Sequence, residues 1–112
     1  MGIFLIWNIR EVTIVYTDVL KALADENRLR IMCLLRNGSR CVCEIEPILN
    51  LSQSSTSKHL IKLKQVGLIE SEKKGQWVYY HIPDRVFIDY TFLRPLIEGA
   101  IQSDFKKFNS SQ

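Results

Sequence analysis

A helical pattern that stops and restarts between residues 43 and 67 constrains this chain more than any other feature. Over residues 43–50, Ile45, Ile48 and Leu49 recur on one helical face, and Leu51 closes a tight connection. Ser52 stands where a helix N-cap is needed, its hydroxyl able to accept from the orphan amides of Ser54 or Ser55. Along the second segment Thr56, Leu60, Leu63 and Gly67 share one stripe, while Ser54, Ser57, Lys58, Ile61 and Gln65 point away from it. Gly67 supplies a C-terminal stop. Two short helices around a tight turn, the second polar and cationic outside, form a helix-turn-helix over residues 43–66. In that arrangement the second helix enters the major groove of DNA. Gln53, Ser54, Ser55, Ser57, Lys58, His59 and Lys62 are then the candidates for base edges and phosphates. A merely solvated helix face is the competing reading.

The segment beyond Gly67 favours the DNA reading. Residues 68–73 and 76–82 are extended runs joined at Lys74-Gly75, with Val78 and Tyr80 alternating against Trp77, Tyr79 and His81. Helix, turn, helix and a basic-tipped hairpin over 68–82 is the winged-helix order, a mainly α fold with a small antiparallel β-hairpin. Between Ser52 and Tyr80, Lys58, Lys62, Lys64, Lys73 and Lys74 stand against Glu70 and Glu72, so this stretch carries the +3 excess of the entire chain. Charge concentrated in this way suits phosphate binding, with Lys73 and Lys74 of the wing as further contacts.

Several segments together carry a resemblance. They are Leu23-Ala24-Asp25-Glu26-Asn27-Arg28-Leu29-Arg30-Ile31, Cys41-Val42-Cys43-Glu44-Ile45, Leu51-Ser52-Gln53-Ser54-Ser55-Thr56-Ser57-Lys58-His59-Leu60, Gly67-Leu68-Ile69 and Gly75-Gln76-Trp77-Val78-Tyr79-Tyr80. In this order, over residues 19–82, the chain resembles the ArsR/SmtB family of winged-helix repressors. The resemblance implies a homodimer on double-stranded operator DNA, released when an inducer, commonly a thiophilic metal or metalloid, binds.

A chain of 112 residues has room for one domain, residues 1–112, with a thin core. Val12, Tyr16, Val19, Leu20 and Leu23 recur at helical spacing within residues 10–24, although residues 12–16 are β-branched enough for a strand. Residues 84–108 repeat the pattern with Leu93, Leu96, Ile97, Ala100, Ile101 and Phe105, and Pro95 should begin or kink that helix. Two terminal helices with unspent apolar faces suggest a two-fold interface and an operator that is an imperfect inverted repeat. Packing on their own subunit is the alternative. The apolar run over residues 3–7 is too short to span a bilayer and has no charged leader, so a cytoplasmic protein is expected. Residues 109–112 read as a disordered tail.

Three cysteines without a secretion signal point to reduced thiols. Cys33, in the apolar helix of residues 28–36, reads as a small core residue. Cys41 and Cys43 flank one valine at a predicted helix start, where free amides and the Arg40 guanidinium favour thiolate. On a regular helix they would lie roughly 200° apart, so shared capture of one ion should unwind the first turn. Thiolate donors select As(III), Sb(III), Cd(II) or Pb(II). By resemblance, the pair matches the cysteines of arsenical-resistance and cadmium/lead-sensing repressors. The arsenical type often has a third cysteine where this chain has Glu46, and residues 84–108 lack the histidines of the zinc-site branch. The favoured metal site is therefore Cys41 and Cys43 holding arsenite or antimonite, with Cys33 as a candidate third donor.

His59 and His81 have no partner at ligand spacing. The chain offers no phosphate-cradling loop, nucleophile elbow or acid/base pair, which argues against an enzyme, and no cofactor is required. Two alternatives to the metalloid-released repressor stand: a thiol redox-responsive repressor of the same fold, and a winged-helix protein-interaction module.

Overall fold

The computed structural model describes residues 2–110, with side chains described at Ile9 and over residues 13–103. Along the chain these form α1 (Gly2–Leu23), α2 (Glu26–Leu34), β1 (Arg40–Cys41), α3 (Val42–Leu49), α4 (Gln53–Gln65), β2 (Glu70–Lys74), β3 (Trp77–His81), α5 (Asp84–Asp89) and α6 (Leu93–Ser110). The fold is mainly helical with a small antiparallel sheet, in the winged helix-turn-helix order.

The junction of α1 and α2 shows how locally this fold is specified. Asp25 caps α2 by accepting the Arg28 amide at 3.0 Å, and Arg28 turns back to donate from Nε to the Ala22 carbonyl at 2.6 Å and from Nη2 to that of Lys21 at 3.3 Å. One residue thus satisfies orphan carbonyls of α1 while its own amide is held by the cap of α2. The amide hydrogen bond from Arg28 is the main reason the Asp25 carboxyl sits below its ordinary pKa of 3.8, with desolvation opposing it and the Arg28 charge adding to it. A depressed carboxylate stabilises the folded state fully above the unfolded pKa and stops doing so as pH falls through the folded value. We therefore expect Asp25→Ala to cost about 1 kcal/mol at neutral pH, typical of an N-cap. That difference should shrink as pH drops below the ordinary carboxyl value, as denaturant melts at pH 7 and pH 3 would measure.

The core gathers one face from every helix. Val19 and Leu23 of α1 meet Ile31 and Met32 of α2 with Leu35 beyond it, then Ile45 and Leu49 of α3, Leu60 and Leu63 of α4, and Leu93 and Ile97 of α6. Leu68, Ile69, Ile82 and Val86 complete it from the ends of the wing and from α5. Thr56 belongs to the same face of α4 and is fully buried, its hydroxyl without a hydrogen-bond partner among the described residues.

Several sequence expectations change in the folded chain. The segment 10–24 belongs to a longer helix: α1 runs from Gly2, taking in the backbone of residues 3–7, and residues 12–16 are helical rather than extended. Of the apolar stripe expected there, Val19 and Leu23 are buried, Leu20 is exposed, and the Val12 side chain lies outside the described residues. Residues 84–108 form two helices, because the chain bends at 90–92 to bring Tyr90 and Phe92 against Tyr16 of α1, with ring centroids 5.4 Å apart for Tyr16–Tyr90 and 6.2 Å for Tyr90–Phe92. Pro95 is the third residue of α6, where its missing N–H would have had no helical partner. Leu93 and Ile97 are buried on that helix, whereas Phe105 lies outside the described side chains. Residues 109–110 continue α6 rather than forming a tail, and 111–112 lie outside the described residues. Among the described residues no helix is long and apolar enough to cross a membrane.

The wing has one strand more than a hairpin. β2 and β3 pair antiparallel from Glu70↔His81 to Lys74↔Trp77 around a Gly75-Gln76 turn, with Gly75 at φ 64° as such a two-residue turn requires. The short β1 pairs with the other side of β3, Arg40↔Tyr80 and Cys41↔Tyr79, so β3 is central.

Candidate nucleic-acid interface and its thiol pair

The proposed reader is held at both ends by local chemistry. α3 stops at Asn50, which adopts the left-handed conformation (φ 55°) that Asn tolerates better than most residues. Ser52 then accepts the Ser55 amide at 3.1 Å and starts α4. With Thr56, Leu60 and Leu63 locked into the core, Gln53, Ser54, Ser57, Lys58, Ile61 and Lys62 are left on the exposed side, while Ser55 is half-buried. That exposed surface is short in side chain near the N-terminus of α4 and cationic beyond it, as groove entry needs.

The structure does not group all the expected contacts alike. His59 is half-buried and faces the start of α2, its Nδ1 3.4 Å from an Arg28 nitrogen and 3.8 Å from an Asp25 oxygen. It ties α4 to the α1–α2 junction. Lys73 and Lys74 are exposed at the end of the wing, where the Lys74 ammonium lies 5.2 Å from the centre of the Tyr79 ring. Lys64, by contrast, donates to the Ser71 hydroxyl at 2.7 Å and braces α4 against β2. Trp77, directly across from Lys74, is also exposed, a surface aromatic to which the sequence pattern assigns no role beyond the strand.

Cys41 and Cys43 depart most from expectation. Cys41 is the last residue of β1 and the N-cap of α3, with an extended backbone (φ −69°, ψ 143°) rather than a helical one. The rotation expected between two positions of a regular helix therefore does not apply, and no turn has to unwind for the sulfurs to meet. They are joined as a disulfide, with Cα atoms 5.1 Å apart. Cys41 is buried and Cys43 exposed. The Cys41 sulfur also accepts the Cys43 amide at 3.2 Å, and the Cys41 amide donates to Glu44 Oε1 at 3.3 Å. Glu44 Oε2 takes up the Arg40 guanidinium at 3.2 Å, and Arg40 Nε donates to the Leu34 carbonyl at 3.3 Å. Arg40 is thus committed to Glu44 and α2, not to a thiolate.

Helix α3 is closed at its start by this reciprocal cap between Cys41 and Glu44. Pro47 lies inside it and has no N–H for the Cys43 carbonyl four residues back. Cys33 is half-buried beside the core. Among the described residues no group of three or more His, Cys, Asp or Glu is placed to hold a metal ion, so Cys33 is not brought to the pair as a third donor. His81 instead faces Glu70, Nε2 to Oε2 3.8 Å, and Glu70 also accepts from Arg85 at 2.6 Å.

Comparison with known proteins agrees with this layout. Residues 25–71 match the family model described as "Bacterial regulatory protein, arsR family". Among curated proteins, an arsenic resistance transcriptional regulator of Pseudomonas putida is 45% identical over 69 residues, which cover 61% of this chain and 54% of that protein. The chain spans about half the length of the first curated relatives it matches. Among solved structures, reduced HlyU from Vibrio cholerae superposes with a TM-score of 0.67 at 33% identity, over 81% of this chain and 90% of that one. A homodimeric winged helix-turn-helix DNA-binding domain from Mycobacterium bovis superposes with a TM-score of 0.70 at 27% identity, over 86% and 90% respectively.

Proposed function

Since this chain belongs to the arsR family of bacterial regulatory proteins, we propose that it is a dimeric, DNA-binding transcriptional repressor whose hold on its operator is set by the redox state of Cys41 and Cys43. The observation that carries this reading is the position of Cys41. It ends the strand that pairs with Tyr79 in the wing and caps the first helix of the helix-turn-helix, with the Cys43 sulfur within bonding reach. A chemical change there acts at once on the wing and on α3, the helix that supports the reader α4.

Reduced, the pair carries two thiols. A peroxide takes up their two electrons and two protons and leaves as water while the Sγ–Sγ bond forms. The bond ties Cys43 in the first turn of α3 to the end of β1, and it bears on that helix through the cap that Cys41 and Glu44 form there. The reduced form is the operator-binding one and oxidation releases it. That a solved relative is described as reduced HlyU supports attention to thiol state in this fold. Dimerisation is supported by the exposed Ile9, Ile14, Val15 and Leu20 of α1, an apolar surface of the kind interfaces cover, and by the homodimeric relative. Regulators, not enzymes, are what the curated relatives are named.

Binding of the dithiothreitol-reduced protein to a duplex selected for it in vitro, followed by anisotropy, tests the reading. Peroxide should weaken binding at least about tenfold, the cost of roughly 1.4 kcal/mol, and dithiothreitol should restore it. Cys41→Ser keeps an N-cap and Cys43→Ser keeps the surface, so both should bind as the reduced protein does and ignore peroxide. Unchanged affinity after complete oxidation, verified by mass, would remove the redox half.

The second reading keeps the same sulfurs. Two thiolates this close fit one soft ion, arsenite or antimonite first, with cadmium or lead behind them. Release by arsenite in reducing buffer, with no response to peroxide, would select it.

A further inference from the structure

The turn 36–39, the base of the wing and helices α5 and α6 line an open cleft of about 440 Å³. This volume is within the range of small-molecule sites, about 300–1,000 Å³. Its lining divides by chemistry. Leu35, Ile82 and Phe87 form an apolar floor, and Arg36, Arg94 and His81 stand around it with Asp84 as the one acidic neighbour.

Both guanidinium groups are held without being neutralised. Arg94 lies over the Phe87 ring, 4.1 Å from its centre, a cation–π contact that holds the guanidinium beside the cleft. Arg36 donates to the Cys33 carbonyl at 2.7 Å, at the end of α2, which leaves most of its five N–H donors uncommitted. Among the described residues neither arginine forms an ion pair, whereas Arg30, Arg40 and Arg85 each do. Asp84, at the start of α5, likewise takes part in no ion pair among the described residues. Two guanidinium groups without ion pairs, bordering an apolar surface, match a flat anion with a hydrocarbon body.

We propose that this cleft is a binding site for a small organic carboxylate. Its carboxylate is received by Arg94 and Arg36, and its apolar or aromatic part lies on Ile82 and Phe87. A planar carboxylate suits an Arg fork bidentately, and the apolar floor disfavours a fully hydrated ion such as inorganic phosphate. Because Ile82 directly follows β3 and Arg94 is the second residue of α6, an occupant would brace the wing against the C-terminal helix.

The test needs no DNA and so stands apart from the redox reading. The 112-residue chain is titrated with benzoate, benzamide and inorganic phosphate, followed by calorimetry and by backbone amide NMR shifts. Benzoate is expected to saturate, with shifts concentrated at residues 36–39 and 81–94, while benzamide and phosphate bind at least tenfold more weakly. Arg94→Gln and Arg36→Gln, both at exposed positions, should each weaken benzoate at least fivefold. Arg94→Lys, which keeps the charge but not the fork, should recover only part of the loss. Shifts centred elsewhere, equal binding of benzamide or phosphate, or full affinity in the Arg36→Gln/Arg94→Gln double variant would overturn the proposal.

Discussion

Leu60→Ala is expected to destabilise the protein by about 3 kcal/mol, within the range for truncating a buried leucine. The Leu60 side chain is 0% exposed and sits where α4 meets the core. It has no room to relax except by letting α4 shift, and a shift of α4 displaces every candidate base contact on its outer face. The adjacent Ile61 provides the control, because it is 54% exposed on the solvent side of the same helix. Ile61→Ala should change stability by no more than about 0.5 kcal/mol. Urea melts of both variants at one protein concentration make the comparison, so that any contribution of the proposed dimer is held constant. Equal effects at the two positions would mean that α4 does not present Leu60 to the core.

Lys58→Ala combined with Lys74→Ala is the second change with a large expected consequence, this time on DNA. The two ammonium groups are exposed on different elements, one on α4 and one at the end of the wing. If each neutralises a phosphate, removing both should lower duplex affinity on the order of tenfold or more near physiological salt. It should also make the slope of log K against log salt shallower by about 2, one per lost contact. The effect should be nearly the same for selected and random duplexes, because phosphates carry no sequence. Lys64→Ala tests geometry rather than charge, for Lys64 already donates to Ser71. Its salt slope should barely move. An unaltered slope in the double variant would count against α4 and the wing as the DNA-facing surface.

Legibility in the sequence tracks the range of the interactions involved. Ser52 as a cap, Gly67 as a stop, Gly75 in the hairpin and the alternation of Leu60 and Leu63 with Lys58 and Ile61 are all decided within a turn or two of chain. The structure keeps each of them. The exposed face of α4 is therefore readable from its own residues, and so is its continuation into a basic wing. His59 is not, because its partners Asp25 and Arg28 come from another helix.

The thiol pair marks the limit most sharply. Its residues are evident as a soft-donor pair at a helix start, yet their geometry is not, because regular helical spacing sets the two sulfurs roughly 200° apart. Strand β3, nearly forty residues downstream, draws Arg40 and Cys41 into the sheet and holds Cys41 extended. No local pattern in a two-residue strand could announce this. The bend at 90–92 arises likewise from aromatic contact with Tyr16, and the arginine-lined cleft exists only where α2, β3, α5 and α6 converge. Caps, turns and amphipathic periodicity are written in neighbouring residues, so the helix-turn-helix and its charge belong to the chain as a string. Ladder pairing and the meeting of distant side chains depend on closing long loops, so the union of the sulfurs and the shape of the cleft had to await the folded molecule.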